Sequence, residues 1–281
     1  MVYKNRVVCC LTTRPSQPYY FNKVLDSLVS QFDAVYLSLP YVSCKGIKYE
    51  DMEYPGVIVT RVDEDYGPIT KFFGALDIET DPNTVIVAVD DDIIYDAKFR
   101  DAYEKASIKY PNYVLSGAGI VYKYYTLCDK FPWWFCFTGR RENYPFFLPS
   151  LIGDYRTQTV AGYSGICFKK KMINKKSLLQ FIKNNTKSNI CFVNDDIVIS
   201  AFFSQKNIER RCVSIPRRIH NNDKDTESLS NNNIYDTQYK AFKELQQHFQ
   251  YEPFRFDCVV LLDVLIVIIL VVLFKWYTIK N

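Results

Sequence analysis

The chain has 281 residues, 48% of them hydrophobic, with 35 basic against 31 acidic side chains and a formal net charge of +4. That length holds one large domain or two small ones, and the apolar fraction is enough to bury a core, which excludes a disordered polymer. The basic residues are scattered among carboxylates without a sustained basic stripe, so nucleic acid is not the implied partner, while an anionic substrate stays open.

The first element is the apolar run at residues 6–11, RVVCCL, closed by TTRPSQP. It follows the charges of Lys4 and Arg6 but is too short for a signal-peptide core, and reads as a buried strand. Thr12, Thr13 and Arg14 stand at its end, where hydroxyls and a guanidinium suit a nucleotide; an ordinary surface loop fits them nearly as well. Residues 20–32 place Phe21, Val24, Leu25, Leu28 and Phe32 on one helix face. Two β-rich runs follow at 35–39 and 57–62, separated by a polar loop with Gly46 and closed by Pro40 and Pro55. The turn DYGPITK, residues 65–71, leads into a predicted helix over 69–78. Such a turn would aim backbone N–H groups and Lys71 at a phosphate, or be no more than a capped helix.

Residues 84–89, TVIVAV, are continuously apolar, as suits a central strand covered on both faces of a mostly parallel sheet. Asp90, Asp91 and Asp92 start where that run ends. Three carboxylates crowded at the tip of a buried element repel one another unless a cation joins them. Mg²⁺ or Mn²⁺ takes oxygen from one or two carboxylates and the rest from substrate phosphates; a solvated acidic turn or a calcium site is the other reading. Strands alternating with helices over residues 1–110 indicate a wound α/β sheet flanked by helices, with ligands beyond the carboxyl ends of its strands.

Residues 122–155 are rich in aromatics and prolines without a clean period, and read as an irregular segment that lines an acceptor cleft. AGYSG then offers Gly162 and Gly165 for a close backbone approach to a sugar, or simply a turn before a strand. A helix is predicted over 172–183. In NDDIVISAFF, Asp195 and Asp196 fall in the first turn of a helix capped by Asn194. Acidic residues there often only complement the helix dipole, but beside the triplet the same pair supplies a general base for an acceptor hydroxyl. His220, one of two histidines, is a candidate to complete a metal shell. Residues 221–233 read as a polar loop and 234–249 as an amphipathic helix.

The nine cysteines show no zinc-site spacing and read as buried, reduced thiols. Residues 259–274 carry one charge, Asp263. As a helix this run spans about 24 Å against a hydrocarbon core of about 30 Å. Asp263 would cost roughly 2.5–3.5 kcal/mol at the bilayer centre and less near an end, where it sits. A single-pass C-terminal anchor over 256–277 is expected after a catalytic domain over 1–250, with a buried or membrane-lying helix as the alternative. With no signal sequence ahead of it, the domain is expected to face the cytosol.

Taken in order, these segments resemble the glycosyltransferases of the GT-A fold, and more narrowly a family of bacterial and viral members. LTTRPSQ matches that family's loop after the first strand, DYGPITKF its DxGPATK segment, and TVIVAVDDDIIYD its strand and DxD motif. AGYSGICFKK matches its GFGG strand, and FVNDDIVISAFFSQKNI its acidic helix. The resemblance covers residues 5–210 and implies a GT-A-type fold and transfer of a sugar from a UDP- or GDP-sugar to a glycan, glycolipid or protein hydroxyl. It implies a donor site drawing on Thr12, Arg14, Lys71, Asp90, Asp91, Gly162 and Gly165. Mn²⁺ or Mg²⁺ would rest on Asp92 and Asp90, to which the residue reading adds His220 as a candidate, and Asp196, or failing it Asp195, would be the base of an inverting displacement.

Ser164 departs from the family in replacing a glycine, and the QxxRW motif of processive synthases is missing, so repeated polymerisation is not expected. Two rivals remain. A sugar nucleotidyltransferase needs a glycine-rich loop after the first strand, which LTTRPSQP does not supply. The intact acidic sites weigh against a membrane-anchored binding or structural protein with a decayed site.

Overall fold

A computed structural model describes residues 5–16, 20–119, 154–186, 188–216, 219–220, 234–249 and 269. The apolar run after Arg6 is strand β1 (Val7–Leu11), every residue of it buried, because helices cover both of its faces. Side chains alternate across a strand. Val8 and Cys10 accordingly join a core with Phe72, Phe73, Phe202 and Phe203, while Val7, Cys9 and Leu11 join another with Phe21, Val24, Leu25 and Leu28.

The chain continues through α1 (Phe21–Val29), β2 (Val35–Pro40) and β3 (Val57–Val62). A 3-10 turn (Gly67–Phe72) then runs into α2 (Phe73–Ile78), followed by β4 (Val85–Ala88) and β5 (Ile93–Ile94). Next come α3 (Phe99–Lys109), β6 (Val114–Ser116), β7 (Tyr155–Thr157) and β8 (Ile166–Lys169). The described part ends with α4 (Lys175–Asn185), α5 (Asn189–Val193), α6 (Asp195–Gln205), β9 (Arg210–Cys212), β10 (Ile219–His220) and α7 (Ile234–Leu245).

One eight-stranded sheet has the order β3-β2-β1-β4-β8-β6-β9-β7, and β10 pairs with β5 in a separate ribbon. Pairs β3/β2, β2/β1, β1/β4 and β6/β9 are parallel. Strand β8 runs antiparallel to both neighbours, with Ile166 across from Ala88, and β7 runs antiparallel to β9. The sheet is therefore mostly parallel and flanked by helices, as the alternating pattern indicated. The chain lays β2 and β3 on one side of β1 and then returns to lay β4 on the other. That reversal opens a crevice beyond the carboxyl ends of β1 and β4, where wound sheets bind ligands.

Several boundaries differ from the sequence reading. The helix expected over 69–78 starts as a 3-10 turn because Gly67 enters it with φ 69°, its N–H bound to Asp65 Oδ1 at 2.8 Å. The helix expected from 172 starts at Lys175, since a 3-10 turn (Lys170–Met172) intervenes and Asn174 caps by accepting from the Ser177 N–H at 3.1 Å. Cys9, Cys10, Cys167, Cys191 and Cys212 are buried free thiols, whereas Cys44 is exposed. Cys128, Cys136 and Cys258, most of the aromatic segment 122–155, the polar loop 221–233 and the apolar tail 256–277 apart from Ile269 lie outside the described residues. Among the described residues no helix is long and apolar enough to cross a membrane. The fold described is that of the first of two units, Met1–Phe249, the second being Gln250–Asn281.

Candidate functional site

Strand β4 stays fully buried to Val89, and the next three residues, Asp90, Asp91 and Asp92, emerge half-buried at its carboxyl end. The loop after β1 meets them there. Thr13 Oγ1 donates to Asp91 Oδ2 at 2.5 Å, and the Arg14 guanidinium is near enough for its charge to act on Asp91. Thr12 points elsewhere, its hydroxyl donating to the Ser38 carbonyl at 2.6 Å at the end of β2. Tyr49 braces the loop by donating to the Thr13 carbonyl at 3.0 Å.

Lys71 lies at the centre of the crevice floor, only 2% exposed. Its ammonium donates to Asp90 Oδ1 at 2.5 Å. The same nitrogen lies 2.9 Å from Asp195 Oδ2, an ion pair off the direction of a good hydrogen bond. Asp196, the next residue of α6, accepts from the Gly162 N–H at 2.8 Å. Gly162 closes the group: a Cβ there would sit 2.7 Å from Asp90 Oδ1, 3.1 Å from Asp196 Oδ1 and 3.1 Å from Lys71 Nζ. Segments from four separate stretches of sequence thus share one small space floored by a glycine.

Asn194 stands at the N-cap of α6, as expected, but its side chain does not cap. Its Nδ2 donates instead to the Ile190 carbonyl at 2.7 Å, because α5 ends immediately ahead. Gly165 also serves the fold. It has φ 84°, and a Cβ there would lie 2.9 Å from the rings of Phe99 and Tyr103. Ser164 is 2% exposed and turned inward to Ser116 Oγ and the Ala161 carbonyl, both at 3.1 Å.

Burial alone would lower the Lys71 pKa, but Asp195, Asp90 and Asp196 outweigh it and hold the ammonium charged, its pKa above its ordinary value. The carboxylates shift up. Burial pushes Asp91 up to about 6, against the Thr13 hydrogen bond, and pushes Asp92 up to about 7 with help from the charges of Asp90 and Asp91. Asp195 and Asp196 are raised as well, first by burial; Lys71 opposes both shifts, while Asp195 and Asp90 add to that of Asp196. Five carboxylates around one buried ammonium make a site short of positive charge.

A divalent ion finds open carboxylate oxygen in this donor set. Among the described residues no three His, Cys, Asp or Glu side chains gather to cage a metal on their own. Asp90 Oδ1 is engaged by Lys71 and Asp91 Oδ2 by Thr13, whereas no other side chain among the described residues donates to Asp92. An ion that draws most of its oxygen from substrate phosphates needs no more than Asp92 and the second oxygen of Asp90. The backbone of His220 pairs with Ile93, the residue after Asp92, and its side chain lies outside the described residues.

Sequence reasoning missed Tyr95, 3% exposed, whose hydroxyl accepts from the Asp90 N–H at 3.1 Å and fixes the backbone of the triplet. No pattern marks it, since its partner is set by how the chain turns after β4. Comparison with known protein families finds no matching family model, and comparison with curated proteins finds no matching relative.

Proposed function

We propose that the chain is a metal-dependent glycosyltransferase of the GT-A type, which moves a sugar from a UDP- or GDP-sugar to an acceptor hydroxyl on a glycan, glycolipid or protein. The observation that carries this reading is the contact of Gly162 with Asp90, Asp196 and Lys71 at once. It brings Asp90 of the acidic triplet and the candidate base Asp196 against the same short backbone segment. A base and a leaving-group site that close together are what a single displacement requires.

In this reading Thr13 and Arg14 face the nucleotide, and Asp92 with the second oxygen of Asp90 would hold Mn²⁺ or Mg²⁺. The ion, when bound, neutralises charge on the departing diphosphate. Asp196, fixed through its Oδ1 by the Gly162 N–H, takes the proton of the acceptor hydroxyl. That oxygen attacks the anomeric carbon as the bond to the diphosphate breaks, and the bonding electrons leave with the diphosphate. Burial raises the Asp196 carboxyl above its ordinary value, so it holds a proton it has taken more firmly than an ordinary aspartate.

The test is a panel of UDP- and GDP-sugars scored for Mn²⁺-dependent hydrolysis. Asp92→Asn and Asp196→Asn should each lower release by about 10²–10⁴-fold with an unchanged circular-dichroism spectrum. Full release in either variant removes that residue from its role, and no release from any donor by the unaltered chain overturns the reading.

A further inference from the structure

We infer that Lys71 is a positioning residue, an internal cation that clamps Asp195 to the end of β4 and so leaves Asp196 as the acid that faces the acceptor. This rests on the glycosyl-transfer reading of the crevice and deepens it, because it divides the labour between two adjacent carboxylates.

Three observations carry it. An ammonium has three N–H donors. One of them goes to Asp90 at 2.5 Å, a second side of the nitrogen meets Asp195 at 2.9 Å, and Gly162 covers a third, close enough that a Cβ would lie 3.1 Å away. At 2% exposure, Lys71 has no face left to offer a phosphate oxygen from solvent.

The turn that bears Lys71 is also pinned to the helices that carry the acids. Gly67 lies so close to α5 that a Cβ would meet the Phe192 carbonyl at 2.8 Å, and α5 leads directly into α6. The same turn therefore grips both the start of α6, through Asp195, and the end of β4, through Asp90. Lys71 acts as a spacer.

Finally, the two acids differ in setting. Asp195 is 8% exposed and ion-paired, whereas Asp196 is half-buried and, among the described residues, held through Oδ1 by a backbone N–H. Paired and buried, Asp195 is the poorer candidate to reach a substrate proton. Asp196 keeps an oxygen to do so.

The experiment measures Mn²⁺-dependent melting shifts with UDP and GDP, and Mn²⁺-dependent nucleotide-sugar hydrolysis, in the full chain. The variants are Lys71→Met/Asp195→Asn, Asp195→Asn and Asp196→Asn. The double variant removes both charges of the pair; Asp90 loses its ammonium but keeps both oxygens for Mn²⁺. It should bind UDP or GDP within about threefold of the unaltered chain yet hydrolyse at least about a hundredfold more slowly, a loss in kcat with KM little changed. Asp195→Asn, which leaves Lys71 an amide oxygen and Asp90, should lose less than Asp196→Asn.

Loss of nucleotide binding in the double variant would give Lys71 a part in holding the donor, through its phosphate or through Asp90, and overturn the inference, as would full hydrolysis in that variant. Should the double variant fail to fold, the single variants decide: an Asp195→Asn defect as deep as that of Asp196→Asn overturns the division of roles. An unaltered chain with no Mn²⁺-dependent shift from either nucleotide overturns the functional reading itself, a result separate from these.

Discussion

Replacing Gly162 by alanine adds one methyl group where three charged side chains already meet. The new carbon would stand 2.7 Å from Asp90 Oδ1 and 3.1 Å from both Asp196 Oδ1 and Lys71 Nζ. None of the three is a free end able to swing aside: Asp90 and Lys71 hold each other, and Asp196 is tied to the N–H of residue 162 itself. Forcing a methyl into so filled a place costs about 1–3 kcal/mol. In a domain of this size that lowers Tm by roughly 2–4 °C per kcal/mol. The catalytic consequence is larger than the stability one, because a shift of about 1 Å at reacting groups costs about 10²-fold in rate.

Gly165→Ala is the matched control, with a comparable clash at 2.9 Å against Phe99 and Tyr103 and an unfavourable φ of 84°, but away from the acids. Differential scanning fluorimetry and the hydrolysis screen together separate the two. Both variants should melt lower, and only Gly162→Ala should lose turnover beyond what its lost stability explains. A Gly162→Ala chain with unaltered turnover would refute the reasoning that the three groups are held against that glycine.

Glu79, 7% exposed, accepts from Arg6, Tyr36 and Thr84; burial alone would raise its carboxyl, but these partners hold it below the ordinary value. A depressed folded pKa stabilises above the unfolded value of about 4.3 and loses that contribution as pH falls through the folded one. Glu79→Gln should therefore lower Tm at pH 7 and flatten the acid limb of the Tm-against-pH curve; a limb parallel to that of the unaltered chain speaks against the pairing. Phe203→Ala, at a side chain 0% exposed and 5.9 Å from the Phe168 ring, should cost about 3–5 kcal/mol in urea unfolding. A cost under about 1 kcal/mol would mean that this side of the sheet is not packed as described. Saturating Mn²⁺ with nucleotide at about 100 times its Kd should stabilise by about 2.7 kcal/mol. Excess EDTA should abolish that shift, and its persistence would remove the metal from the site. If residues 256–277 anchor the chain, as the sequence leads one to expect, ending it at residue 250 should move it from the membrane pellet to the supernatant; equal partition of both forms would dispose of that expectation.

The central strands were legible because β1 and β4 are unbroken apolar runs, which only a sheet covered on both faces accommodates. The short elements were not. Helix α5 has 5 residues and β5 only 2, too few to display a period, and their existence is decided by neighbours remote in sequence. At the site, residue type was readable and partner was not. Lys71 stands in a turn that suits a phosphate as well as a carboxylate, and what decides between them is the arrival of α6 from more than a hundred residues downstream. Thr12 and Thr13 show the same limit on a smaller scale: side chains of consecutive residues leaving a strand diverge, so one reaches Ser38 and the other Asp91.

The reversed direction of β8 has a consequence for what the crevice contains. A parallel strand beside β4 would bring its carboxyl end there, and the turn that leads into it would lie at the far edge of the sheet. Because β8 runs the other way, with Ile166 opposite Ala88, it is the entrance of the strand that borders the acids. The 3-10 turn Gly162–Ser164 leads into that entrance, and the N–H of its first residue, Gly162, has no partner within the turn and binds Asp196. The polarity of β8 thus brings the start of that turn, and with it a hydrogen donor, to a place already crowded with negative oxygen.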